Sequence, residues 1–186
     1  NINKIRKDFP ILQRSINGNR LTYLDSAASS QKPIQVVDYI RNFQIRDYAN
    51  VHRGLHFLSN ASTEAFEGAR EKVKNFLNAN RVEEIVFTMG ATDAINLVAY
   101  SYAEPNLIKD DEIILSTLEH HSNIVPWNFL RERKGINIKW VDSDNNGNIS
   151  VESIRNLVTK KTKIIAITQM SNVLGSIIPL KEIIQF

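Results

Sequence analysis

The chain is 186 residues long, 42% apolar and 23% charged, a balance that suits a globular domain with a real core and excludes a disordered tail. Its net charge of +3 comes from Lys and Arg scattered among almost as many Asp and Glu, which describes a solvated surface better than a nucleic-acid groove. The absence of Cys excludes a disulfide framework, a Cys-ligated metal and a cysteine nucleophile among these residues.

In chain order, the amino end lacks an apolar signal core and no later run is long enough for a membrane span, so the expectation is a soluble, cytoplasmic protein. Asn60 and Asn148 each open an Asn-x-Ser match, read as accidental because nothing else points to secretion. Residues 1–20 read as an arm and 21–186 as one layered domain without internal repeats. Leu21 to Leu24 suggests a small strand before the loop Asp25-Ser26-Ala27-Ala28-Ser29-Ser30. Pro33 suits the first turn of a helix reaching about Tyr48, and apolar spacing predicts a second from about Ala61 to Leu77. Strand and helix then alternate: strand 84–88, helix 91–102, strand 112–116, helix 123–134, strand 137–141, a polar turn at Asn146-Gly147, helix 151–158 and strand 163–168. That order predicts an α/β fold with a mostly parallel or mixed sheet between helices. After Pro179 an amphipathic helix reaches Phe186 without a cap, so the layered domain is expected to continue beyond it.

Ligands of open α/β sheets sit at the carboxyl ends of the strands, which singles out three loops. Thr88-Met89-Gly90-Ala91-Thr92-Asp93 joins a strand to a helix whose first-turn amides could hold a phosphate, although a plain capped turn would look the same. No Gly-x-Gly-x-x-Gly and no Walker Lys is present, against a dinucleotide or nucleoside triphosphate. Glu119-His120-His121-Ser122-Asn123 offers an imidazole that could stack on a flat cofactor or move protons, or could simply be an exposed cap. Asn172, in Gln169-Met170-Ser171-Asn172-Val173-Leu174-Gly175, could donate to a ring oxygen or shape a turn. His52 and His56 are four apart, but Gly54 lies between them and no Glu follows His52, so no zinc-protease motif and no metal site is assigned. No Ser/His/Asp triad can be read from the linear sequence.

Taken together, Tyr23-Leu24-Asp25-Ser26-Ala27-Ala28, Val51-His52-Arg53-Gly54-Leu55-His56, Gly90-Ala91-Thr92-Asp93-Ala94-Ile95-Asn96, Glu119-His120-His121-Ser122-Asn123-Ile124-Val125-Pro126-Trp127 and Ser171-Asn172-Val173-Leu174-Gly175 closely resemble the Suf-type (group II) cysteine desulfurases. These are class V aminotransferase relatives with the fold type I architecture of pyridoxal 5'-phosphate (PLP) enzymes. The resemblance implies that Ala91 and Thr92 hold the cofactor phosphate, that His120 stacks on its ring and assists proton transfer, and that Asn172 lies near the ring hydroxyl. It places Ala27 and Ala28 near substrate, and His52, Arg53 and His56 near the active site and a dimer interface. Asp93 stands where relatives often carry Glu, a longer carboxylate. The implied reaction turns L-cysteine into L-alanine and leaves an enzyme persulfide, passed to a Suf-system acceptor for iron–sulfur cluster assembly by a homodimer. The Schiff-base Lys, pyridinium-pairing Asp, catalytic Cys and substrate Arg of such enzymes fall beyond Phe186, so residues 1–186 alone are expected to be inactive. A selenocysteine lyase or another class V enzyme stays open, as does a non-catalytic dimerisation or binding module of the same fold.

Overall fold

A computed structural model describes residues 1–186, which form two compact units, 1–86 and 87–186. No helix is long and apolar enough to cross a membrane.

The first unit opens with α1 (Ile2–Lys7), capped by the Asn1 side chain, which accepts the Asn3 N–H at 3.0 Å. A short hairpin follows, β1 (Ser15–Ile16) against β2 (Asn19–Arg20), closed by Asn17 and Gly18 with φ of 50° and 79°. Positive φ at both central residues is the primed turn that matches strand twist. The strand expected at 21–24 does not form. Leu21 donates its N–H to the Arg14 carbonyl and accepts Arg6 Nη2 at 2.8 Å, and beyond it no strand is paired. Helices α2 (Ile34–Arg46) and α3 (Phe57–Leu77) carry the rest. α3 starts four residues before Ala61, because His56 Nδ1 accepts the Ser59 N–H at 3.4 Å and caps the earlier turn. The strand expected at 84–88 is also absent: Val82–Glu84 is a 3-10 turn, and the extended residues after it have no partner ladder.

The second unit is the layered α/β part. α4 (Ala91–Val98) runs into a π turn (Ala99–Ala103) and a last helical turn, α5 (Glu104–Asn106). β3 (Glu112–Ser116), β4 (Asn137–Val141) and β5 (Thr162–Ala166) form a parallel sheet in the order β4-β3-β5. Every residue of the central β3 is buried, and alternation along it supplies two cores. Ile113 and Leu115 pack with Ala99, Ala103, Trp127 and Leu130 on one face, whereas Ile114 packs with Val141, Ile149, Ile154, Ile178 and Ile183 on the other. Each fully buried Leu or Ile contributes about 1.5–3 kcal/mol. α6 (Val125–Lys134) starts two residues later than expected, since residues 121–123 close a 3-10 turn first and Pro126 suits the first helical turn. α7 (Val151–Arg155) is capped by Ser150 Oγ, which accepts the Ser153 N–H at 3.0 Å, and α8 (Leu180–Ile184) follows Pro179 as expected.

A buried carboxylate ties the amino ends of these strands. Glu112 accepts Thr159 Oγ1 at 2.6 Å, Lys139 Nζ at 2.9 Å and Thr162 Oγ1 at 3.1 Å. The Thr159 hydroxyl first, then Lys139, holds its carboxyl below the ordinary glutamate value. A depressed folded-state value means stabilisation that is complete above the unfolded-state value and is lost as pH falls through the folded one. In the intact protein, the denaturation midpoint should therefore fall on acidification below the usual glutamate range, and Glu112→Gln should flatten that part of the profile. Parallel slopes for the two proteins would dissociate the network from acid sensitivity.

Candidate functional site

Three segments meet the carboxyl ends of the strands or the first turn of α4. At Gly90, φ is 154° and ψ 178°, a conformation essentially reserved for glycine, and no atom lies within 4 Å of where a Cβ would stand. The next residues enter α4 with no side chain capping its start. The amides of Ala91 and Thr92 thus face outward at the positive end of the helix, with the exposed Thr92 side chain beside them. Asp93 does not cap this end from outside; its Oδ2 turns back to accept the Met89 N–H at 3.2 Å, and Thr88 Oγ1 donates to the Gly90 carbonyl at 3.0 Å. These bonds brace the loop and leave the foremost amides to a ligand. The donor set suits a small anion such as a phosphate monoester.

α4 packs beside the turn of residues 121–123, at whose mouth His120 sits. His120 is exposed, and its Nδ1 accepts the Ser122 N–H at 3.1 Å with Ser122 Oγ at 2.9 Å. A ring nitrogen that accepts an amide proton carries none itself, so the neutral ring keeps its proton on Nε2. The Nε2 edge faces away from these bonds and can donate to, or exchange a proton with, a bound molecule.

The preceding and following residues anchor this turn. Glu119 accepts the Ser116 hydroxyl and the Thr168 N–H (2.9 Å) on Oε1, and Asn123 Nδ2 (2.8 Å) on Oε2. Asn123 Nδ2 also donates to the Ala166 carbonyl at 3.0 Å, while its Oδ1 accepts Trp127 Nε1–H at 2.9 Å. Glu119 and Asn123 lie inside the His120 motif, where the linear sequence assigns neither of them a task.

Asn172 occupies the turn between Ser171 and Gly175, where Ser171 Oγ accepts the Val173 and Leu174 N–H groups and Ser171 N–H pairs with the Ser176 carbonyl. Its own carboxamide is exposed and makes no hydrogen bond within the chain, so the turn does not depend on it.

The remaining candidates belong to the first unit. Ala27 and Ala28 are exposed in a turn in which the Asp25 carbonyl accepts the Ala28 and Ser29 N–H groups. The segment with His52 and Arg53 is laced to α3 by hydroxyls: Ser59 Oγ donates to the Asn50 carbonyl at 2.6 Å, Ser62 Oγ to that of Asp47 at 2.6 Å, and Thr63 Oγ1 accepts the His52 N–H at 2.9 Å. Gly54 lets this happen, since a Cβ there would stand 2.5 Å from Ser59 Cβ. His52 adopts a φ of 66°, and its Nε2 bonds Glu67 Oε1 at 2.8 Å. A carboxylate only accepts, so that nitrogen carries the proton. His56 is occupied as the α3 cap, and Arg53 is exposed with no ion pair.

Comparison with known proteins identifies the family and the fold. A relative from Halalkalibacterium halodurans named "Probable cysteine desulfurase" is 47% identical over 183 residues, 98% of this chain and 45% of its own length. A cysteine desulfurase from Dickeya dadantii is 46% identical over 99% of this chain and 45% of its own length. Among solved structures, the S-sulfonic acid form of an Escherichia coli cysteine desulfurase superposes with a TM-score of 0.84 at 38% identity, covering 100% of this chain and 45% of that one. The apo cysteine desulfurase of Thermococcus onnurineus NA1 gives 0.87 at 32% identity over 97% and 43%. The chain thus spans a little under half the length of the curated relatives it matches. The α/β architecture read from the strand and helix alternation is that of these enzymes. The family model for aminotransferase class-V matches residues 22–186, and the chain belongs to that family.

Proposed function

We propose that the intact protein is a PLP-dependent cysteine desulfurase of the Suf type, for which residues 1–186 supply the phosphate-holding and ring-facing half of the site. The observation that carries this reading is the uncapped α4 start at Gly90 beside the turn bearing His120. A phosphate needs outward amides at a helix end and a flat ring needs a side chain beside it, so these residues fit the group. When bound, PLP supplies an electron sink for the carbanion formed at the substrate Cα. Ala91 and Thr92 amides and the Thr92 hydroxyl would hold its phosphate, Asn172 would reach the ring hydroxyl, and His120 would bear on the ring with Nε2 placed to pass a proton. Ala27, Ala28 and Arg53 would stand toward substrate or interface, with His52 and His56 shaping that segment through Glu67 and Ser59.

A persulfide requires a thiol, and these residues contain no Cys. We place the thiol, the PLP-binding Lys, the pyridinium-pairing Asp and the substrate Arg outside residues 1–186, so this stretch alone would be inactive. Transfer of the sulfur to a Suf-system acceptor by a cytoplasmic homodimer belongs to the same reading. The test is intact protein with PLP and L-cysteine: equimolar alanine and acceptor-bound sulfur are expected, and no alanine despite full cofactor loading would overturn the assignment. Thr92→Val, which removes one phosphate donor and keeps the volume, should weaken PLP binding by about 10-fold, as for loss of a charge-assisted hydrogen bond. Equilibrium dialysis followed by cofactor absorbance measures it, and an unchanged affinity would take the hydroxyl out of the phosphate site.

A further inference from the structure

We propose that Glu119 and Asn123 form a positioning clasp that holds the His120 imidazole in register with the carboxyl ends of β3 and β5; this rests on the cofactor site proposed above. Glu119 and Asn123 flank His120 in sequence, and between them they bind three separate parts of the layer. Glu119 reaches back to Ser116 at the end of β3 and across to the Thr168 N–H just past β5. Asn123 reaches the Ala166 carbonyl, the last residue of β5, and takes the indole proton of the buried Trp127 on α6. Both ends of the His120 turn are thus fixed to the sheet, and the Asn123 N–H to the His120 carbonyl at 2.8 Å closes the turn itself.

The polarity of this clasp has a single solution. Glu119 Oε1 already serves two donors, and Oε2 takes one hydrogen of the Asn123 amide while the Ala166 carbonyl takes the other. Turning the Asn123 amide over would set its NH2 against the Trp127 N–H and its oxygen against the Ala166 carbonyl. Every member is satisfied only in the observed orientation, which gives such a network its specificity. Neither residue needs to touch substrate. They act through His120, whose Nε2 must stand at one height above the strand ends to exchange a proton with a bound molecule.

The arrangement predicts a reciprocal pattern of substitution. Glu119→Gln sets NH2 against NH2, and flipping Asn123 relieves that clash only by setting its NH2 against the Trp127 N–H and its oxygen against the Ala166 carbonyl. Asn123→Asp sets carboxylate against carboxylate. When both changes are combined, the new amide donates to the new carboxylate, which still accepts from Trp127, while a carboxylate oxygen replaces the donor that faced the Ala166 carbonyl, so the restoration is partial. In the intact holoenzyme, each single change is expected to lower kcat for cysteine about 10–100-fold, the scale of a misplaced catalytic group, with KM little changed. Each should also alter the visible circular dichroism of bound PLP and the His120 ring signals in 15N-edited spectra. The double variant should exceed both singles in kcat and return both spectra toward wild type. Single variants with wild-type spectra, or a double variant no better than the worse single, would overturn the clasp. If the singles do not fold, Ser116→Ala carries the test, because it removes the hydroxyl that donates to Glu119 and accepts the Leu118 N–H without introducing a clash: shifted His120 signals support the clasp and wild-type signals refute it. Wild-type protein that fails to take up PLP would instead sink the cofactor reading.

Discussion

His120→Ala in the intact protein is expected to cut alanine release from cysteine by about 10²–10⁴-fold, the usual contribution of a positioned proton-transfer group. Stability should hardly move. His120 is exposed and lies in neither core, and its side chain bonds only to Ser122 two residues away. The neighbouring His121 makes a direct control. It is also exposed, its ring centroid lies 6.1 Å from that of His120, and it makes no side-chain hydrogen bond, so nothing fixes its direction. His121→Ala should leave turnover near wild type. Alanine release and a denaturant titration on the same preparations separate the outcomes: equal rates for His120→Ala and wild type would remove His120 from catalysis, and a large loss in His121→Ala would mean that the roles of the two imidazoles are reversed.

The distinction between these histidines shows where linear reading stops. The resemblance singles out His120, but the composition of the loop does not separate it from His121; the physical difference is which Nδ1 lies over an amide of its own turn, a matter of dihedral angles. The three strands of the parallel sheet were legible because β3 is a continuous apolar run flanked by helical periods, and its expected bounds of 112–116 match the observed ones. Residues 21–24 and 84–88 have equally good strand composition but no paired strand among these residues, and a ladder requires two strands. The hairpin before them was readable and missed: Asn17-Gly18 is the strongest short-range turn signal, and it is masked by strands only two residues long. The early start of α3 depends on His56 serving as a cap, a role for which histidine carries little propensity. Glu119 and Asn123 were hidden for another reason. Their partners, Ala166 and Thr168, lie more than forty positions away, and no local pattern reports that closure.

Leu130→Ala and Ile154→Ala are each expected to cost about 2–5 kcal/mol, the range for large-to-small changes at fully buried sites. Leu130 is 0% exposed in the core formed with Trp127 and Ile113, and Ile154 is 0% exposed in the opposite core with Ile114 and Val141. The two cores share the sheet but no side chain, because Ile113 and Ile114 point to opposite faces of β3. The costs should therefore add to within about 0.5 kcal/mol. The sum would consume much of the roughly 5–15 kcal/mol that holds a typical domain folded. Native-state hydrogen exchange at the β3 amides reads this directly, since Ile113, Ile114 and Leu115 are protected only while both helical layers stay on the sheet. Each single variant should speed exchange at all three amides, and the double should multiply the two effects. Exchange altered on one face only, or a double variant no worse than its weaker parent, would mean that the layers open independently and that β3 does not couple them.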